Sequence, residues 1–159
     1  MTDRKHAQYL IVGGGIIGCS IAYHLTQMGA KDVVILEKND ITHGATWHAA
    51  GLVGQLRSSR NTTRMLKMSV ELYDKLEAET GQAVDWKKVG SLRLASSPER
   101  MREVQQLATT AKSFGLEMEL ISGEEAQKLF PLIDPKGVLG AAYLPTDGQI
   151  DPSSVTQAL

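Results

Sequence analysis

Six residues, Gly13-Gly14-Gly15-Ile16-Ile17-Gly18, constrain this chain more than any others. They follow a short apolar run of strand-forming types, Tyr9 to Val12, and three consecutive glycines break whatever regular element precedes them. A helical period begins at once: Ile17, Ile21, Leu25 and Met28 fall at i, i+4, i+8 and i+11, and Gly29 supplies the stop. Val33-Val34-Ile35-Leu36 is a second apolar run with no polar alternation, the pattern of a strand covered on both faces of a parallel sheet. Residues 9–36 therefore spell strand, glycine turn, helix, strand: a βαβ unit.

In that setting the spacing G-x-G-x-x-G has a physical use. Gly13 makes the tight turn, Gly15 lets backbone N–H groups approach a pyrophosphate, and Gly18 lets the helix pack close on the strand. The helix N-terminus adds partial positive charge for the phosphates. Glu37 ends the second strand nineteen positions after Gly18, where a carboxylate accepts hydrogen bonds from a ribose hydroxyl and repels the 2′-phosphate of NADP. The arrangement predicts dinucleotide binding; a glycine turn used for tight packing alone is the bland alternative.

The rest of the chain changes character near residue 84. Residues 38–60 lack a period and read as loop. A helix follows over about Asn61–Thr80, with Met65, Leu72 and Leu76 on one stripe, Leu66, Val70 and Tyr73 beside it, and Gly81 closing it. "GSLRLA" (90–95) alternates like a half-buried strand. A helix over about Pro98–Phe114, capped by Ser96 or Ser97, turns Met101, Val104, Leu107 and Ala111 inward. "MELI" (118–121) and "GVLGAAYL" (137–144) read as strands, and Ser122 with Glu125 forms a capping box between them. Thr146-Asp147-Gly148 is a turn, and a last helix starts at Asp151. The fold class is α/β: a Rossmann-type βαβ unit with the beginning of an α+β domain built on an antiparallel sheet. The expected boundaries are 1–83 and 146–159 for the first domain and 84–145 for the second.

Seventeen basic residues against eighteen acidic ones leave no electrostatic footprint for nucleic acid or an acidic membrane surface. The single cysteine, Cys19, excludes an intrachain disulfide and reads as a small buried packing residue. No stretch approaches the ~20 apolar residues of a membrane span. "MTDRKHAQYLIVGGGIIGC" has the outline of a secretory signal, but the glycines break its apolar run, so secretion is not expected. His24 lies within the first helix and reads as structural. His43 and His48 have no third ligand near them in sequence, a poor metal site.

One stretch stays unexplained by local rules. "THGATWHAAGL" (42–52) sets an indole and an imidazole among residues with almost no side chain. Together with "VGGGIIGCSIAYHL", "DVVILEK", "GSLRLA" and "GQIDP", it resembles the amine-oxidising flavoproteins of the D-amino-acid-oxidase superfamily. Among these it is similar to the dimethylglycine and sarcosine dehydrogenases, with 4-methylaminobutanoate oxidase near them. The resemblance covers the whole chain, and "GATWHAAGL" is its specific part. It implies FAD, and it implies that His48 carries FAD covalently through the flavin 8α-methyl group, a role that suits a nucleophilic neutral imidazole. It further implies cofactor contacts from Gly13, Gly14, Gly15, Ile16, Ile17, Gly18, Glu37 and Lys38. Gly44, Ala45, Thr46, Trp47, Ala49, Ala50, Gly51 and Leu52 complete the set, the small residues leaving room for backbone to run against the cofactor. Without the resemblance, His48 reads as a surface loop histidine and Trp47 as a lone anchor.

The activity implied is oxidation of an N-methylated amine such as dimethylglycine or sarcosine, with hydride passing to the flavin. An electron-transfer flavoprotein or oxygen is the implied acceptor, and tetrahydrofolate enters only through a further C-terminal domain. The implied location is the cytoplasm in a bacterium or the mitochondrial matrix in a eukaryote. No motif assigns a catalytic residue, and only two strands of the parallel sheet are recognisable before Leu159. A missing C-terminal half, or a second chain that completes a split enzyme, is therefore expected. A non-catalytic fragment and an NAD-dependent dehydrogenase stay open; the second leaves "TWHAAGL" without a purpose.

Overall fold

The computed structural model describes residues 6–159; Arg4 and Lys5, the basic start of the signal-like outline, lie outside them. The chain divides into two compact units. The first takes in the described residues up to Leu52, with Leu72–Trp86 and Ile150–Leu159; the second takes in Val53–Glu71 and Lys87–Gln149.

In the first unit the predicted βαβ is present. Strand β1 (Tyr9–Val12) leads through the glycine turn into helix α1 (Ile16–Gln27), and β2 (Val33–Leu36) pairs with β1 in parallel, Tyr9 against Val33 through Val12 against Leu36. The cover on both faces expected for the second strand is incomplete, Leu36 being exposed. Val12 is 82% exposed and Ile17 74% exposed, with Ile21 and Met28 also on the surface. The buried face of α1 carries Cys19 and Tyr23 instead. The physical reason is coverage: apolar periodicity shows which face could be buried, but a two-stranded sheet in this unit has no further layer over that face. What α1 does meet is α5 (Pro152–Ala158), whose Val155 and Ala158 are buried. The Tyr23 hydroxyl also donates to the Glu79 carboxylate. That bond, with burial and the negative charge of Glu79 behind it, raises the phenol above its ordinary range.

Glu79 lies on helix α2 (Arg60–Thr80), the long helix expected over about 61–80. Its later half turns Leu76 fully inward and anchors Trp86, whose indole N–H donates to Asp74 at 2.8 Å.

The second unit is built on three antiparallel strands: β4 (Ser91–Ala95), β5 (Glu119–Ile121) and β6 (Gly140–Leu144), with β6 in the middle. Helix α3 (Pro98–Ser113) packs on this sheet with Val104 and Ala111 fully buried. Ala95, Val104 and Ala142 form one cluster and Leu56, Ala111, Leu116 and Leu144 another. Ser97 caps α3 by accepting from the Arg100 N–H, as one of the two expected serines should. At its other end Arg60 and Lys67 donate to the carbonyls of Ser113 and Gly115 at 2.8 and 2.7 Å, cations on a helix C-terminus. Helix α4 (Gly123–Leu129) begins with the predicted capping box, Ser122 accepting from the Glu125 N–H and Glu125 accepting from the Ser122 N–H.

Two features of this unit carry no local sequence signal. Strands β3 (Leu52–Val53) and β7 (Gly148–Gln149), two residues each, pair with one another. The turn residue Asp147 is 1% exposed, its carboxylate accepting from the Gln55 N–H at 2.9 Å and from the Ser91 hydroxyl at 2.6 Å. The Gln55 side-chain amide donates to the same carboxylate at 3.2 Å and to Thr146 at 2.8 Å. Among the described residues no helix is long and apolar enough to cross a membrane.

Candidate cofactor site

The site is assembled from the glycine turn, the end of β2 and the loop 38–51, all in the first unit. The turn is tight because it has to be. A methyl group at Gly18 would drive into the carbonyl of Gly13, so the third glycine of the fingerprint is where the helix passes close to the turn's own backbone. Gly15 occupies the N-cap position of α1 without any side-chain cap, and the first turn of the helix holds no acidic residue. A helix start with no cap from its own N-cap residue and no acidic residue presents N–H groups to an anion, the Ile16 N–H being the one that Thr46 takes up.

Glu37 binds the turn from the other side. One carboxylate oxygen accepts from the Gly14 N–H at 2.7 Å and the other from the Asn39 N–H at 3.0 Å. These two backbone donors, helped by the charge of Lys38, hold the carboxyl below its ordinary range. Each oxygen keeps a further lone pair for a ribose hydroxyl. Cys19 sits behind this pair, its thiol donating to the Gly14 carbonyl at 3.7 Å. Burial first, and the Glu37 charge second, push its pKa up, so it stays a thiol and an inert packing group.

The loop is strapped down at both ends. Thr42 donates its N–H to the Gly14 carbonyl at 3.0 Å, and its own carbonyl accepts from the Trp47 N–H at 3.3 Å. Thr46 is buried, and its hydroxyl accepts from the Ile16 N–H at 3.1 Å, the first amide of α1. Downstream, the Gly51 carbonyl accepts from the Ile150 N–H at 2.9 Å. Gly51 takes φ +72°, and a side chain there would strike the Ile150 carbonyl, so glycine is required for this approach. Between the fixed points Trp47 and His48 stand on the surface with ring centroids 4.5 Å apart and planes tilted by 44°. Trp47 is 60% exposed. A bulky indole and an imidazole on a pinned loop of small residues form a platform that a flat ring system can meet.

The structure thus brings together Gly14 with Glu37, and Ile16 with Thr46, in direct hydrogen bonds. Gly44, Ala45, Ala49 and Ala50 lie exposed along the same loop. Lys38 and Leu52 are exposed at its two edges. His24 is exposed on α1, its ring edge-on to Tyr23 at 5.1 Å. Thr42 is the residue of the strap that the sequence reading passed over.

Comparison with known proteins bears on this geometry. The family described as FAD dependent oxidoreductase matches residues 8–159. Human mitochondrial dimethylglycine dehydrogenase is 45% identical over 156 residues, which is 98% of this chain and 18% of the relative. 4-Methylaminobutanoate oxidase (formaldehyde-forming) of Paenarthrobacter nicotinovorans is 39% identical over 154 residues, 97% of this chain and 19% of the relative. The chain therefore spans less than a fifth of the length of these curated relatives. Among solved structures, L-proline dehydrogenase from P.horikoshii superposes with a TM-score of 0.88 at 33% identity, covering 96% of this chain and 40% of that one. FAD in the family description decides between the two dinucleotides that the glycine fingerprint alone leaves open.

Proposed function

This chain belongs to the FAD-dependent oxidoreductase family, and from that premise we propose that it forms the cofactor-holding part of an enzyme that oxidises an N-methylated amine such as dimethylglycine or sarcosine. The observation that carries the reading is the double tie of the glycine turn, to Glu37 on one side and to the loop of His48 on the other. In it the start of α1 would face the pyrophosphate, Glu37 would accept from the ribose, and Thr46 would fix the loop so that Trp47 and His48 lie at the flavin end. When bound, FAD supplies the two-electron acceptor for the carbon–hydrogen bond beside the amine nitrogen. The protein's part would be to hold and orient the cofactor, with His48 as the residue that would carry it covalently.

The loop 42–51, strapped at Gly14, Ile16 and Ile150, supports this role for His48. The substrate class follows from what the relatives' names say they act on, and the mitochondrial location in one of those names supports a matrix protein if the source is a eukaryote. An electron-transfer flavoprotein or oxygen as acceptor, and tetrahydrofolate on an additional domain, complete the proposal. We assign the cofactor role to 1–83 and 146–159 and the substrate-facing role to 84–145.

Acid precipitation tests the central element. Native protein should keep its yellow colour in the pellet, and His48→Ala should release FAD while still binding it reversibly. A native pellet that turns colourless would remove the covalent bond from the proposal and leave the rest of the site standing.

A further inference from the structure

Thr42 adopts φ +76°, the left-handed region that glycine and asparagine enter readily and a β-branched residue does not. It is also 8% exposed, although its loop neighbours Ile41, His43, Gly44 and Ala45 all face solvent. A strained residue persists only where its surroundings over-determine it, and such residues gather at functional sites. Here the surroundings are explicit. Its N–H is held by the Gly14 carbonyl at 3.0 Å and its carbonyl by the Trp47 N–H at 3.3 Å. One residue therefore bonds the glycine turn with one hand and the Trp47-His48 pair with the other. Glycine at this place would keep both backbone bonds and shed the strain. A buried, branched side chain sits there instead.

We infer that Thr42 is a positioning residue: its buried side chain wedges the loop so that the two ends of the FAD site, glycine turn and Trp47-His48 platform, stay in fixed register. This rests on the reading that the turn and the loop hold FAD. It predicts an unusual pairing of effects, in which removing the side chain does not cost stability and yet loosens the flavin end of the site.

The test compares Thr42→Gly and Thr42→Val in the full chain, each also in the His48→Ala background, where FAD binding is reversible. Three quantities are read: the thermal unfolding midpoint, the FAD dissociation constant, and the visible circular dichroism of bound flavin. Thr42→Gly should unfold no earlier than the native protein, bind FAD roughly tenfold more weakly and lose most of the flavin dichroism, as a small misplacement at a positioned site does. Thr42→Val, which keeps the branched shape without the hydroxyl, should stay close to native in all three. Unchanged affinity and dichroism in Thr42→Gly would overturn the inference. So would a midpoint that falls in step with them, which makes Thr42 a structural residue only, or a Thr42→Val protein as impaired as Thr42→Gly. Loss of all flavin from native protein in acid would sink the His48 bond alone, because the dichroism is compared without that bond. A native chain that binds no FAD at all would sink both.

Discussion

The two units use apolar residues in opposite ways. In the second, strand β6 runs between two neighbours, and its Ala142 and Leu144 are sealed from solvent against Val104 and Ala111 of α3. In the first, Leu76, Val84 and Val155 are buried, yet Val12, Leu36 and Ile17 on the βαβ unit face outward, and hydrogen bonds to backbone amides tie its turn to a loop. The difference teaches that the sheet of one unit is held by packing, whereas the turn and loop beside the other's sheet are organised around polar ties. Such ties hold geometry well, but each contributes only about 0.5–1.5 kcal/mol net. An apolar cluster draws on the larger hydrophobic term.

That contrast can be broken by mutation. The largest effect is expected at Leu144→Ala, which empties a fully buried site in the second unit and should cost about 2–5 kcal/mol in chemical denaturation. A loss near zero would mean that this core is not what holds the unit. Gly18→Ala comes next. Its methyl meets a backbone carbonyl that cannot step aside, so the turn must open and FAD affinity should fall by roughly a hundredfold, measured by titration, with little change in the second unit.

Glu37→Ala removes the acceptor of the Gly14 N–H and, in the proposed site, of the ribose, and the FAD dissociation constant should rise roughly tenfold to hundredfold. The same group gives the comparison a pH axis. The folded carboxyl lies below its unfolded value, so its contribution is present in full above the ordinary glutamate value of about 4.3 and is lost as pH falls through the lower folded value. The Gly14 amide resonance should follow that acid titration in the native chain and not in Glu37→Gln; the same midpoint in both would detach Glu37 from the turn. The smallest effect belongs to Val12→Thr, under about 0.5 kcal/mol for so exposed a site. A loss of several times that size would show that another surface covers β1.

Legibility in the sequence followed the range of the interaction. The Ser97 cap and the Ser122-Glu125 box could be read because each joins residues three positions apart, and the βαβ unit because its whole pattern lies within residues 9–36. The role of Gly18 was legible for the same reason. The exposure of Ile17, Ile21 and Met28 could not be read, because a periodic stripe reveals an apolar face and says nothing of what lies against it. The two-residue strands β3 and β7, and the buried Asp147 carboxylate with its ties to Gln55 and Ser91, depend on partners 56 or more positions away. Thr42 was invisible for a different reason: its conformation opposes its own propensity, so every local rule points away from it.

The Gly51–Ile150 bond has one more consequence. The chain leaves the first unit at this bond and comes back to it beside the point of departure, lending only Leu72–Trp86 to that unit in between. A change of loop length within Lys87–Gln149 therefore leaves both ends of the strap that carries His48 where they are.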